Sequence, residues 1–199
     1  MVEKYFVISF DFDGVLALGY DVKVKYAKEW FGVDISPESS KKAGFEALMR
    51  SLGKQVSYRD LMDPINEEHI FEYKVPDGAI EVLGRLFEKN CRFVVVTSRN
   101  QHDFPYAQEF IREKFTGLIK YIHNTNDQPK ADIIERLRPM AHVDDDVHKL
   151  EELRNLPVKR VYFRQVENKS VDGADGLFEV ASFSELEHLI DGFLSGLHH

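Results

Sequence analysis

Short apolar runs alternate along the chain with stretches whose apolar residues recur at helical spacing. Runs of strand length occupy Tyr5–Phe10, Arg92–Val96, Leu118–Ile122, Met140–Val143, Val158–Phe163 and Leu177–Val180, most of them rich in Val, Ile, Phe or Tyr. Between them, Asp77–Glu88, Phe104–Phe115, Lys130–Leu137 and Asp146–Arg154 carry helical periodicity. A closing helix runs to Leu194, with Ser182 or Ser184 placed to cap it. Strands alternating with helices predict an α/β protein: a Rossmann-like three-layer α/β/α sandwich whose mostly parallel sheet is covered on both faces.

One region breaks the rhythm. From about Leu16 to Val75 no buried strand is visible, and the pattern predicts helices over Val22–Phe31, Pro37–Leu52 and Ser57–Tyr73, the last interrupted by Pro64. Ser36 before Pro37 is a good N-cap, and Gly53 stands where a C-cap glycine belongs. An insertion of about 60 residues is too long for an ordinary connection, so it is expected to form a small subdomain. The expected organisation is a core from 1–15 and 76–199 with a helical cap from 16–75.

Composition narrows the class. The chain has 199 residues, 43% of them hydrophobic, including 15 Phe and 8 Tyr, enough for a packed core and against disorder. A formal net charge of −8 works against binding a nucleic-acid polymer, whose partners carry clustered basic faces. The single cysteine, Cys91, rules out a disulfide framework or a cysteine zinc site within one chain, and it begins an apolar run as an inert buried thiol would. No apolar run reaches membrane-spanning length and Tyr5–Phe10 is too short for a signal-peptide core, so a cytoplasmic protein is expected. His123, His142 and His148 fit no compact ligand spacing; no zinc is assigned, and His142 alternates with apolar neighbours as a sheet residue does.

In an open parallel sheet, ligands bind beyond the carboxyl ends of the strands. Asp11-Phe-Asp-Gly-Val15 follows the first strand, Thr97-Ser-Arg-Asn100 the second and Asp144-Asp-Asp146 the fourth, and Lys130 opens the helix before that fourth strand. Asp11 and Asp13 alone read equally well as a turn, with Gly14 allowing a sharp departure from the strand. Asp146 reads as a helix cap, which leaves Asp144 and Asp145 without a structural account. Carboxylates at this density at one sheet end repel one another, and hard oxygen ligands of this kind suit Mg²⁺. Thr97 and Ser98 offer a hydroxyl and backbone N–H groups for phosphate oxygens, though a plain strand-to-helix turn explains them as well. Lys130, a surface lysine if read alone, supplies the missing positive charge beside the carboxylates. Arg99 and Asn100 stand near enough to touch a substrate, while a solvated loop accounts for them at least as well.

Asp11-x-Asp-x-Val15, Thr97 after four apolar residues, Lys130 and the apolar-Asp-Asp of Val143–Asp145 resemble, in order, the four motifs of the haloacid dehalogenase (HAD) superfamily. Each motif is short; four in order, each at its strand end, make the match specific. The segment between the first two motifs resembles that family's first-position helical cap, and its size together with the apolar-Asp-Asp resembles the deoxyribonucleotidase branch. Val15 departs from the Thr found in many members, although Asp-Gly-Val is frequent among capped ones, and the Asp144–Asp146 triplet leaves the last motif's register open.

The resemblance implies a Mg²⁺-dependent phosphatase acting on a small phosphorylated metabolite. Asp11 would be the nucleophile that becomes transiently phosphorylated, and Asp13 the acid and base, for which its pKa must be raised. Thr97, Ser98 and Lys130, with Asp13, would bind the transferring phosphoryl group. Asp11, the Asp13 backbone carbonyl and Asp145 would hold Mg²⁺, with Asp144 acting directly or through water. The resemblance leaves open a phosphomutase on a sugar phosphate and a non-catalytic binding module of the same fold. A nucleotide is one candidate substrate, since Tyr20, Tyr26, Trp30, Phe31, Phe45, Tyr58, Phe71 and Tyr73 all fall in the insertion, yet aromatics at helical spacing are more often core.

Overall fold

The computed structural model describes residues 5–165, 170 and 176–196, so the outermost residues of the expected core segments lie outside the described part. All six apolar runs are strands: β1 (Phe6–Phe10), β2 (Cys91–Thr97), β3 (Ile119–Asn124), β4 (Ala141–Asp144), β5 (Lys159–Phe163) and β6 (Leu177–Val180). They form one sheet in the order β3-β2-β1-β4-β5-β6, and every pairing is parallel. The helices are α1 (Tyr20–Phe31), α2 (Lys42–Ser51), α3 (Tyr58–Glu68), α4 (Ala79–Glu88), α5 (Phe104–Lys114), α6 (Ala131–Leu137), α7 (Val147–Glu151) and α8 (Phe183–Ser195).

Alternation along the strands feeds two apolar layers. Phe93 and Val95 of β2 join Ile8, Phe10 and Phe183 in the main core, while Val96 points the other way, to Ile134 of α6 and Leu153 beyond α7. Both faces are therefore covered, as a parallel sheet requires. The chain adds β2 and β3 on one side of β1 and β4 to β6 on the other. The reversal of strand order falls between β1 and β4, where the Asp11 N–H bonds the Val143 carbonyl at 2.8 Å.

The segment between β1 and α4 is helical, as its pattern indicates, with two differences in detail. The expected Pro37–Leu52 helix is divided: a 3₁₀ turn at Glu38–Ser40 precedes an extended Lys41, and α2 begins at Lys42. Gly44 explains the tight join, since a Cβ there would lie 2.1 Å from the Glu38 carbonyl oxygen. Conversely, α3 runs through Pro64 without interruption and stops at Glu68. A capping box between Ser57 and Asp60 fixes its start, and burial of Leu61 and Ile65 on one face outweighs the hydrogen bond that proline forfeits. Leu18 and Lys74 exchange backbone hydrogen bonds of 2.8 and 3.2 Å, tying the chain's exit towards α1 to its return after α3.

Tyr26, Phe45 and Tyr73 are buried in the core, and Trp30, Phe31 and Tyr58 pack partly buried against it, which supports the packing account of these aromatics. Cys91 opens β2 fully buried, and His142 lies within β4. No helix among the described residues is long and apolar enough to cross a membrane.

Two glycines inside helices should respond oppositely to alanine. Gly84 in α4 has open space where a Cβ would stand, so Gly84→Ala should stabilise the protein by roughly 0.5–1 kcal/mol. Gly44→Ala should instead lower stability, because the new methyl meets the Glu38 backbone. Thermal unfolding of the two variants checks both; stabilisation by Gly44→Ala would contradict the observed turn before α2.

Candidate active site

The polar residues anticipated at the strand ends meet in one cavity of about 430 Å³, whose walls include Asp11, Asp13, Thr97, Ser98, Lys130, Asp144 and Asp145. Its base is the β1–β4 reversal. Lys130, at the start of α6, is only 1% exposed rather than a surface lysine. Its ammonium donates to Asp11 Oδ1 and to Asp144 Oδ2, each at 2.7 Å. Burial alone would favour neutral lysine, but the two carboxylates overcome it and hold the ammonium charged.

Asp144 is committed on both oxygens. Beside Lys130, its Oδ1 accepts from the Asp146 N–H at 2.9 Å, and His142 Nε2 lies 3.4 Å from Oδ2. His142 Nδ1 meets Ser9 Oγ at 2.9 Å, a pair of cross-strand neighbours on β1 and β4. Burial favours neutral imidazole, against the Asp144 carboxylate, which favours the charged form. Although burial opposes it, the charge of Lys130 keeps Asp144 ionised well below the ordinary carboxylate range. Asp146 caps α7 by accepting from the His148 N–H at 2.9 Å, as its position suggests.

Asp11 and Asp13 sit two residues apart in opposite fields. Burial, helped by the charges of Asp144 and Asp13, pushes Asp11 up to about 8 even against Lys130. Asp13 is gripped by Arg99 through two hydrogen bonds, Nε to Oδ2 at 2.8 Å and Nη2 to Oδ1 at 2.7 Å. Burial would raise the Asp13 pKa; the guanidinium wins and lowers it. The expectation of a raised Asp13 pKa is therefore corrected for this arrangement, because the nearest charge is Arg99 and not another carboxylate.

Arg99 is 8% exposed and lies over the Phe12 ring at 4.8 Å, so the solvated-loop account of it fails. The signal available in the sequence was position alone, two residues beyond Thr97. Thr97 itself is buried at the end of β2, with its Oγ1 3.4 Å from the Arg99 N–H, and Ser98 Oγ accepts from Thr125 Oγ1 at 3.1 Å. Gly14 has φ +78°, and a Cβ there would lie 2.6 Å from the Asp145 carboxylate, so glycine lets β4's end close against the β1 loop. Gln165, which no motif marked, donates to the Gly14 carbonyl.

Carboxylate oxygens of Asp11, Asp144 and Asp145 approach within 4.8 Å of one another. Burial first, and then the Asp144 charge, push Asp145 up to about 7 despite Lys41, whose Nζ is 3.8 Å away. Three hard oxygen donors with one ammonium among them leave surplus negative charge, and a divalent cation of the Mg²⁺ type fits both the donors and the charge.

A family model described as 5′ nucleotidase, deoxy (pyrimidine), cytosolic type C protein matches residues 5–195. No curated protein matches the sequence. Among solved structures, a candidate phosphatase from Clostridium difficile superposes with a TM-score of 0.68 at 14% identity, over 94% of this chain and 99% of that one. The candidate HAD-hydrolase YfnB from Bacillus subtilis, bound to magnesium, gives 0.66 at 14% identity over 95% and 100%. A candidate β-phosphoglucomutase from Thermotoga maritima gives 0.65 at 17% over 94% and 99%. At these identities the structures share the fold; the family match, spanning nearly the whole chain, goes further. The chain belongs to the 5′ nucleotidase, deoxy (pyrimidine), cytosolic type C family, and with it to the HAD-like phosphohydrolases that its four ordered motifs resemble.

Proposed function

We propose that the protein is a Mg²⁺-dependent phosphatase that hydrolyses a small phosphomonoester through an aspartyl phosphate on Asp11. The observation that carries this reading is the placing of Asp11 at the strand-order reversal, hydrogen-bonded to a buried Lys130 and clustered with Asp144 and Asp145. In the first half-reaction an Asp11 carboxylate oxygen attacks phosphorus, the bond to the ester oxygen breaks, and Asp13 gives that oxygen a proton. In the second, Asp13 takes a proton from water as the water attacks phosphorus, and the bond to Asp11 breaks. Lys130, Thr97 and Ser98 hold the phosphoryl oxygens.

The Arg99 pair keeps Asp13 an ionised carboxylate, which suits the base half of the cycle; proton donation requires that pair to open. The family resemblance implies that the Asp13 backbone carbonyl would join Asp11 and Asp145 at the metal, with Asp144 acting directly or through water, and the clustering of the Asp11, Asp144 and Asp145 carboxylates supports this. Bound there, Mg²⁺ would neutralise charge between nucleophile and phosphate. In the same reading, residues 16–75 are the cap that shuts water out and selects the leaving group. The family's name favours a nucleotide as substrate, and the mutase-type neighbour favours a sugar phosphate.

Phosphate release from a panel of phosphomonoesters tests the reading, with Mg²⁺ present and after chelation. Release should require the metal, and Asp11→Asn should lose it by at least about a thousandfold with no acid-stable phosphoenzyme. An active Asp11→Asn protein would sink the mechanism. Lys130→Met should abolish turnover and also cost roughly 3–5 kcal/mol of stability, since it strands Asp11 and Asp144 without a counter-charge. Denaturant titration of that variant should show Mg²⁺ restoring more stability than it adds to the native chain; equal gains would count against a metal at these carboxylates.

A further inference from the structure

Asp13 can protonate a leaving group only when Arg99 releases it, and a buried guanidinium does not give up a carboxylate without another partner to receive it. Arg99 spends Nε and Nη2 on the two oxygens of Asp13. Its third nitrogen, Nη1, is buried and has no hydrogen-bond partner among the described residues. Asp103, four positions further along the loop between β2 and α5, carries the matching acceptor: its Oδ1 is buried and likewise unpartnered. The two side chains lie in each other's field. Burial disfavours the charged guanidinium, and the carboxylates of Asp13 and Asp103 are among the groups that keep it charged. Burial also raises the Asp103 carboxyl, and the charge of Arg99 opposes that rise.

Local structure does not account for that spare oxygen. Asp103 stands at the N-cap of α5, where an aspartate ordinarily accepts from the first N–H groups of its helix, yet it makes no such bond. Its Oδ2 instead receives Asn66 Nδ2 from α3 at 3.0 Å and Asn100 Nδ2 at 2.7 Å. Asn100 also pins the loop, its Oδ1 accepting from the N–H groups of His102 and Asp103 at 2.9 Å each. Asp103 is thus held by its neighbours with one acceptor left over. Buried polar atoms are normally satisfied, and an unpaired one costs its full desolvation. Arg99 Nη1 and Asp103 Oδ1 are both closed off from the cavity, so the partner of each has to come from within the protein. Each is what the other lacks, a donor on a cation and an acceptor on an anion.

We propose that Asp103 is a positioning residue for Asp13: it offers Arg99 a second resting place, so that the guanidinium alternates between the two carboxylates and frees Asp13 to act as the acid. This rests on the phosphohydrolase reading above and supplies the step by which the Arg99 pair opens. In one arrangement Arg99 holds both oxygens of Asp13, as observed, and Asp13 is the base. In the other, Nη1 donates to Asp103 Oδ1, and Asp13 gives its proton to the ester oxygen as the bond from that oxygen to phosphorus breaks. Because Asn66 holds Asp103 from α3, the second resting place is complete only while α3 lies against the loop after β2.

The test uses kcat/KM of the full chain with Mg²⁺, which reports the half-reaction in which the leaving group departs. It compares p-nitrophenyl phosphate, whose phenolate leaves with little help from an acid, with an alkyl ester, whose alkoxide needs a proton. The alkyl ester is whichever of thymidine 5′-monophosphate, glycerol 3-phosphate and glucose 6-phosphate the native chain cleaves fastest. Asp103→Asn keeps an oxygen for Asn66 and Asn100 but removes the acceptor offered to Arg99. It should lower kcat/KM on the alkyl ester by about tenfold more than on p-nitrophenyl phosphate. Arg99→Lys cannot hold both Asp13 oxygens with one ammonium and should move the ratio the other way, in favour of the alkyl ester. If Asp103→Asn does not fold, that second variant decides, and a ratio unchanged or lowered overturns the proposal. Equal losses on the two esters, as a mere tie between α3 and the loop would give, or no loss on either, overturn it too. Release by the native chain from p-nitrophenyl phosphate alone overturns the positioning role and leaves the phosphatase reading standing. No metal-dependent release from any ester overturns the phosphatase reading, and the role of Asp103 falls with it.

Discussion

A lysine ammonium held almost without solvent between two carboxylates organises this molecule. Removing three charges from water costs several kcal/mol for each, and the interior recovers that only with short, well-directed contacts. Lys130 has them, 2.7 Å to Asp11 from β1 and 2.7 Å to Asp144 from β4. The two strands are neighbours at the reversal of strand order, so the bridge can form only when β1, β4 and the start of α6 have all reached their places. His142, Ser9 and the Asp146 N–H satisfy the groups that Lys130 does not. A buried polar network this complete specifies one arrangement of the strand ends.

The same bridge separates two aspartates that the sequence places side by side. Asp11 faces Lys130 from a buried position among other carboxylates, and its pKa is raised; Asp13 turns towards Arg99, and its pKa is lowered. The proposed first half-reaction needs the reverse, an ionised Asp11 and a protonated Asp13: a cation bound at Asp11 would lower its pKa, and opening of the Arg99 pair would release Asp13. Gly14 is the hinge of that division. Its left-handed backbone turns the chain away from β1, and its missing side chain admits Asp145.

The sheet and the outer wall of the cavity come from different parts of the chain. The fold is shared at 14–17% identity with structures described as a phosphatase, a HAD-hydrolase and a β-phosphoglucomutase, so the scaffold alone does not choose a substrate. The wall contributed by α3 and the loop after β2 is polar where it meets the cavity and apolar behind it, where Leu61, Ile65 and Phe110 are buried.

Local pattern determined most of the framework. Six strands and the helices of the core follow from apolar runs and caps, because side-chain period and chain stiffness act over a few residues. Asp11, Thr97, Lys130 and Asp144–Asp145 were legible because each stands at a strand end or helix start, and a parallel sheet brings such ends together. The helical character of the segment between β1 and α4 also showed in its missing strands. The break at Lys41 and the survival of α3 through Pro64 were not legible, since packing against other elements overrode local preference there. Nor were the partners of the site. Arg99 reaches Asp13 across 86 positions and Asn66 reaches Asp103 across 37, and neither pair leaves a mark in sequence spacing. Which carboxylate meets which cation is decided by where distant elements settle and which rotamer then fits. That choice belongs to the tertiary structure, and through electrostatics it sets the state of the two aspartates on which the proposed chemistry depends.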